Sequence, residues 1–297
     1  MKRIGSSICI AALLAALAAG AWWMQRPQTD RQVEQTLPSP SPAADMIVAG
    51  LGGFRGLAAE AVWFRADRLW DEGRYGELAQ LASWLVFLEP HAAEVWSYAA
   101  WNLAYNVSVA MPSKADRWRW VKAGLQLLLN DGLRLNPSDP GLYKAISDMF
   151  AMKLGGKNDD AADYYRARWK DIVRTAQESG DWSETKLDPA KMETVDEEYG
   201  AQDWTHPLAS ALYWAHWGLQ CARSRKDRTE LMQCAYQSLM MEANIDPRHA
   251  PRALAAMEAA MRESPSPALA DLIRGFSERF GLSSGKSNPK KETSKKE

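Results

Sequence analysis

Residues 57–90 read LAAEAVWFRADRLWDEGRYGELAQLASWLVFLEP, and this stretch predicts two helices joined by a short turn. Apolar residues recur at helical spacing on both sides of a turn that carries Gly73. Pro90 ends the second helix, because proline breaks a helix interior. With so short a connection, the two helices must run antiparallel. The stretch therefore predicts a helical hairpin, each helix of which has one apolar face.

The same pattern continues along the chain. Prolines fall between long proline-free stretches, and no segment shows the period-2 alternation and β-branched enrichment of strands. An all-α fold follows. The predicted helices are 57–72, 76–88, 91–109, 116–135, 140–153, 159–177, 206–224, 228–243, 249–262 and 267–280.

The chain divides into four parts by composition. We predict a signal peptide or anchor at 1–24, a Pro/Ser-rich linker at 25–45, a helical-repeat domain at 46–282 and a disordered basic tail at 283–297. Within the domain, 178–205 has weak periodicity and is predicted to be a long, partly ordered insertion. The lysine-rich tail is interpreted as solvated, or as a contact with an anionic surface.

The first residues predict export. Lys2 and Arg3 precede an uncharged apolar run from Ile4 to Met24, about the length that spans a bilayer. Either signal peptidase cuts before Trp22, after an A-x-A site, or the segment stays as a single-pass transmembrane anchor. Both interpretations place the domain on the non-cytoplasmic side of a bacterial cell envelope, membrane-anchored or released into the periplasm.

Composition and motifs argue against several function classes. The chain has 297 residues, 46% hydrophobic, with a formal net charge of −1, whereas nucleic-acid-binding domains are usually basic. No zinc-type cysteine or histidine spacing, phosphate loop or nucleophile elbow occurs. We therefore predict no enzyme, no metal, no cofactor and no nucleic acid. The 14 tryptophans are the unusual feature.

Internal repeats are visible at the helix ends, where an apolar residue is followed two positions later by Pro90, Pro137 or Pro247. In one unit, Gly73 and Tyr75 occupy turn positions of a tetratricopeptide repeat. Another unit carries that family's opening pattern at Trp214, Trp217, Gly218 and Cys221. The chain thus resembles the tetratricopeptide-repeat superfamily over 57–265, and the stretch from Leu51 to Asn106 also looks like that of uncharacterised bacterial envelope proteins. The resemblance implies a right-handed superhelix of stacked hairpins.

The resemblance also implies a concave groove lined by the first helix of each hairpin. Mapping the family's groove positions onto 91–109 gives Glu94, Ser97, Trp101, Ala104 and Tyr105, with the neighbouring pair Asn102 and Asn106. We predict that aromatic rings hold peptide side chains while the amides bond the peptide backbone. The alternative is that these residues pack between hairpins. The predicted partner-binding residues are Trp63, Asp67, Trp70, Trp101, Asn102, Tyr105 and Asn106.

Two cysteines are candidates for a disulfide. Cys221 and Cys234 lie on successive predicted helices, each about six residues from a turn placed near 227–228. Antiparallel pairing would bring them to the same level, and export places them where disulfides persist. The alternative is a pair of buried thiols.

Taken together, these features predict an envelope-associated scaffold that binds a protein or peptide, in a secretion, transport or surface-assembly complex. A carbohydrate-binding module that uses a Trp-rich groove to hold a glycan is the alternative.

Overall fold

The computed structural model describes residues 50, 54–157 and 159–282. In this part of the chain there are eleven principal helices and no strand, which confirms the all-α prediction. The helices are α1 (Arg55–Asp71), α2 (Tyr75–Leu88), α3 (Ala93–Trp101), α4 (Lys114–Gln126), α5 (Pro140–Asp148), α6 (Ala162–Ser179), α7 (Pro189–Tyr199), α8 (Pro207–Cys221), α9 (Arg225–Ile245), α10 (Ala250–Glu263) and α11 (Pro267–Phe280).

The predicted signal or anchor, the linker and the basic tail lie outside the described residues. Among the residues that are described, no helix combines the length and the apolar character that crossing a bilayer requires.

Helix starts follow local chemistry. The side chains of Ser113 and Asp139 accept hydrogen bonds from backbone amides in the first turns of α4 and α5. Pro140 then occupies the first position of α5, where its missing N–H costs nothing. At the far end of α6, Gly180 adopts φ +74° and closes the helix in the left-handed conformation that glycine tolerates.

The helix pair α1 and α2 forms the predicted hairpin, with boundaries within two residues of those expected. Its core contains four buried side chains that come from both helices: Ala66, Leu69, Leu78 and Leu81. Tyr98 of α3 packs against this core, so the second hairpin is attached to the first. Stacking in chain order buries the apolar face that a single hairpin would leave in water.

Three consecutive helices change their hydrogen-bonding pattern in their second halves. Helix α3 continues as a π-helix over Asn102–Val107, α4 over Leu127–Gly132 and α5 over Met149–Gly155. A short 3₁₀ turn, Ser108–Ala110, ends the first of these, and a last α-helical turn, Leu133–Leu135, ends the second. π-Helices are rare, and they concentrate at functional sites.

Close backbone approaches fix how these helices pack. A Cβ atom on Gly124 of α4 would lie 2.6 Å from the carbonyl oxygen of Ala100 in α3, so only glycine allows this distance. The Ser147 hydroxyl of α5 donates to the carbonyl of Ala211 in α8, at 2.8 Å. Helix α8 in turn packs on α9, and α9 on α10. Chain neighbours are therefore largely spatial neighbours.

The segment 178–205, predicted to be a long, partly ordered insertion, contains one helix. It contains α7, and Val195 of that helix is fully buried. Trp204 is also buried, and its indole N–H donates to Asp196 at 3.1 Å. The apolar residues that anchor this segment are widely spaced in sequence, so periodicity does not reveal them.

Candidate functional site

A cleft of about 480 Å³ opens between α3 and α5. One wall is the face of α3 that carries Glu94, Ser97 and Trp101, continued by Tyr105 in the π-helical segment. These positions recur every three or four residues, which places them on one side of the helix. The full lining is Ala93, Glu94, Ser97, Tyr98, Trp101, Tyr105, Leu128, Asp139, Gly141, Lys144, Ala145, Asp148 and Met149.

Aromatic rings form a stacked row along the cleft. Trp101 lies 5.2 Å from Trp70 and 5.8 Å from Tyr105, measured between ring centroids, with interplanar angles of 23° and 22°. Offset stacking of this kind fixes ring orientation and contributes about 1 kcal/mol per pair. Trp101 nevertheless stays 41% exposed, which is unusual for so large an apolar side chain. Its indole is the aromatic surface available to a ligand.

The opposite wall is charged. Asp139 and Asp148 of α5 line it together with Lys144, whose ammonium group lies 2.7 Å from an Asp148 oxygen. Burial lowers the pKa of Lys144, but the hydrogen bond and charge of Asp148 outweigh it and raise the pKa overall. Glu94 faces them from α3, and among the described residues it forms no ion pair and no side-chain hydrogen bond. Three carboxylates therefore face the cleft against one ammonium group.

Behind Tyr105 lies a buried ion pair. Lys153 is 3% exposed, and its ammonium lies 2.5 Å from an Asp159 oxygen and 4.9 Å from the centroid of the Tyr105 ring. Burial raises the pKa of Asp159, but the hydrogen bonds that it accepts from Lys153 and from a backbone amide have the larger effect. The pKa of Asp159 is therefore below its ordinary value. Arg117 lies 3.9 Å away and adds a second positive charge. The Lys153 side chain of this pair therefore lies against the buried side of the row.

The Tyr105 hydroxyl remains a neutral phenol. Burial raises its pKa above the ordinary value, and the negative charges of Asp148 and Asp159 raise it further. Its ring thus serves as an aromatic surface, and its hydroxyl as an uncharged hydrogen-bonding group.

The structure places the other predicted groove residues differently. Trp63 packs edge-on against Tyr98, with 4.7 Å between centroids, and so supports a cleft residue from behind. Asp67 is exposed, and its charge acts on the Tyr98 phenol, whose pKa is raised chiefly by burial. Neither residue lines the cleft.

The predicted role of the two asparagines is wrong. Asn102 is fully buried, and Asn106 is 8% exposed. The Asn106 amide donates to the Asn102 side-chain oxygen at 2.8 Å, so the pair is internal to the helix bundle. Each directly follows a cleft residue, Trp101 or Tyr105, so its side chain lies about 100° around the helix from that residue, on a different face. Their amides do not face a peptide.

The predicted disulfide is also wrong, since Cys221 and Cys234 are both free. Helix α8 ends at Cys221, and α9 begins at Arg225, several residues before the turn position that the prediction assumed. Cys234 then lies about 13 Å along α9 from its start, whereas Cys221 lies at the turn. A disulfide needs Cα atoms within about 7 Å. The Cys234 thiol instead lies 3.4 Å from an Asp148 oxygen.

Sequence reasoning missed the α5 wall. Lys144 and Asp148 are four residues apart in the helix that the Asp139 cap begins, and this spacing indicates that they share one helix face. The family's groove positions, applied to α5 as to 91–109, point to these residues. Within residues 54–157 and 159–282, no group of three or more potential metal ligands occurs.

Comparison of the chain with models of protein families, with curated proteins and with solved structures finds no match.

Proposed function

We propose that this protein is a helical-repeat scaffold that binds an extended segment of a protein partner in the cleft between α3 and α5. We further propose that its hairpins form a tetratricopeptide-like superhelix. The N-terminal segment would attach this domain to the bacterial envelope, on the non-cytoplasmic side, where it would serve a secretion, transport or surface-assembly complex.

The observation that carries the proposal is the stacked row of Trp70, Trp101 and Tyr105, whose exposed middle ring, Trp101, lines a cleft between two helices. Exposed aromatic side chains beside partly buried polar groups are typical of protein interaction sites. A row held by Trp70 on one side and Tyr105 on the other keeps its conformation without a ligand. Such preorganisation reduces the entropy that binding must otherwise overcome.

Charge favours a peptide over a neutral glycan. The only asparagine amides of α3 and its extension are buried and bond each other, so the polar groups that face the cleft are mainly charged. A peptide can supply complementary positive charge to the carboxylates of the lining, which an uncharged sugar cannot.

The test is site-specific photocrosslinking with the full chain in its native cells. A photoreactive amino acid at Ser97, which lines the cleft, should form an adduct with a defined segment of one protein, identified by mass spectrometry. The same group at Lys170, an exposed position outside the cleft lining, is the matched control.

Adding Trp101→Leu should reduce the Ser97 adduct about tenfold while the fold is retained, because the indole is part exposed. Equal adducts at both positions, or a glycan adduct at Ser97, would overturn the proposal.

A further inference from the structure

We propose that the cleft recognises a cationic side chain, arginine above all, carried by the bound peptide. This inference rests on the proposed function, since it assigns the chemistry of the ligand at the same site. It follows from the charges and rings that meet in the cleft.

Negative charge dominates the lining. Lys144 is held by Asp148 across a 2.7 Å contact, which leaves the charges of Glu94 and Asp139 without a compensating cation in the lining. Asp139 accepts the amide of Gly141 at 2.8 Å, but a neutral donor does not cancel its charge. Two carboxylates near a low-dielectric wall attract a cation more strongly than they would in open water.

The aromatic wall adds a second attraction. Glu94 and Trp101 are seven residues apart on α3, about two helical turns, so both face the cleft from one side. A cation over the part of the indole face that Trp70 and Tyr105 leave exposed gains from the ring quadrupole, an effect of about 0.5–2 kcal/mol. Arginine suits both walls, because its planar guanidinium stacks on rings and pairs with carboxylates by two parallel hydrogen bonds.

The protein already contains the same combination in a buried form. Lys153 lies over the Tyr105 ring, 4.9 Å from its centroid, and pairs with Asp159. The proposed ligand would combine the same two chemistries at Trp101, the exposed middle ring of the row, and at the carboxylates of Glu94 and Asp139.

The test uses a displayed library of random ten-residue peptides with balanced acidic and basic content, selected against the full chain in detergent. Arginine and lysine should be enriched at one position among the selected peptides. A selected peptide is then synthesised with citrulline in place of that arginine, which keeps the shape and removes the charge. We expect the Kd to rise about tenfold or more.

Variants of the protein locate the effect. Glu94→Gln and Asp139→Asn should each raise the Kd about threefold or more, and asparagine retains the helix cap at position 139. Glu178→Gln, at an exposed position of α6 outside the cleft, is the matched control and should leave the Kd unchanged. Binding should also weaken as salt rises.

The outcomes separate the two proposals. Peptides enriched without basic residues, or equal affinity of the citrulline peptide, would overturn the cation assignment while peptide binding stands. No enriched peptide together with no crosslink from Ser97 would overturn both. Tighter binding after deletion of residues 283–297 would show the protein's own lysine-rich tail in the cleft, and would overturn the assignment to a separate partner.

Discussion

Glu242 of α9 is predicted to make stability fall as pH rises. It is 9% exposed, and one carboxyl oxygen lacks a hydrogen-bond partner among the described residues. Burial raises its pKa to about 7, opposed by the charge of Arg252 and supported by that of Asp203. The Nδ1 atom of His249 lies 3.8 Å from the carboxylate. The carboxyl is thus protonated in the folded protein at pH values where an ordinary glutamate is ionised.

The sign follows from proton linkage. Between pH 4.5 and about 7 the folded state keeps the proton of Glu242 that the unfolded state releases, so the free energy of unfolding falls as pH rises. The pKa of Glu242 is 4.5 in the unfolded chain and about 7 in the folded protein. This difference corresponds to about 3 kcal/mol of folding stability, which is present below pH 4.5 and lost above pH 7. Glu242→Gln removes the titration and keeps the shape. Relative to wild type, the variant should gain up to about 3 kcal/mol between pH 4.5 and 8.

Urea unfolding of the full chain in detergent, followed by tryptophan fluorescence at pH 4.5, 6, 7 and 8, measures this difference. Glu193→Gln, at an exposed position of α7, is the control and should give a difference that does not vary with pH. If the difference in free energy of unfolding between wild type and Glu242→Gln is the same at every pH, the reasoning is refuted. Without a raised pKa of Glu242, linkage predicts no change of that difference with pH.

Three further predictions concern the core. Lys153→Met should lower the free energy of unfolding by about 3–5 kcal/mol in urea unfolding, because it leaves a buried carboxylate without its ammonium; removing that carboxyl charge as well should restore most of the loss. Gly124→Ala should lower the melting temperature, since its Cβ would meet a backbone oxygen at 2.6 Å, whereas Gly275→Ala, with open space around it, should raise the melting temperature. Thiol labelling of unreduced, denatured protein should modify both Cys221 and Cys234, and protection of the two would contradict the free thiols.

Helix positions could be predicted because proline and apolar spacing act locally. The hairpin of α1 and α2 was placed within two residues, since its turn and its ends are marked in sequence. Apolar spacing predicts that α9 begins at residue 228, three residues after its true start. The true start is marked by the capping box of Ser224 and Asp227, which apolar spacing does not detect. The expected turn near 227–228 therefore lies after the observed turn between Cys221 and Arg225, and the disulfide predicted from the expected turn is wrong. Short-range signals thus determine where helices begin and end, and small errors propagate to contacts between them.

The cleft could be predicted only in part. Glu94, Ser97 and Trp101 share one face of one helix, so helical spacing alone brings them together. The α5 wall depends on how two hairpins pack, which no short-range pattern encodes. The burial of Asn102 depends on the same packing between helices, although its position directly after Trp101 already places it on another face of the helix.

The π-helical segments and the buried ion pair converge on the same cleft. Tyr105, Leu128 and Met149 each lie in one of the three π-helical segments, and all three line the cleft. Lys153 follows in the third segment and contacts the Tyr105 ring. A buried ion pair is weak evidence for stability, since apolar residues of similar volume often serve as well. Its effect here is to hold Tyr105, and with it Trp101, in a fixed orientation. The π-helical segments and the buried ion pair, which are unfavourable or neutral for stability, therefore lie where they shape the proposed binding surface.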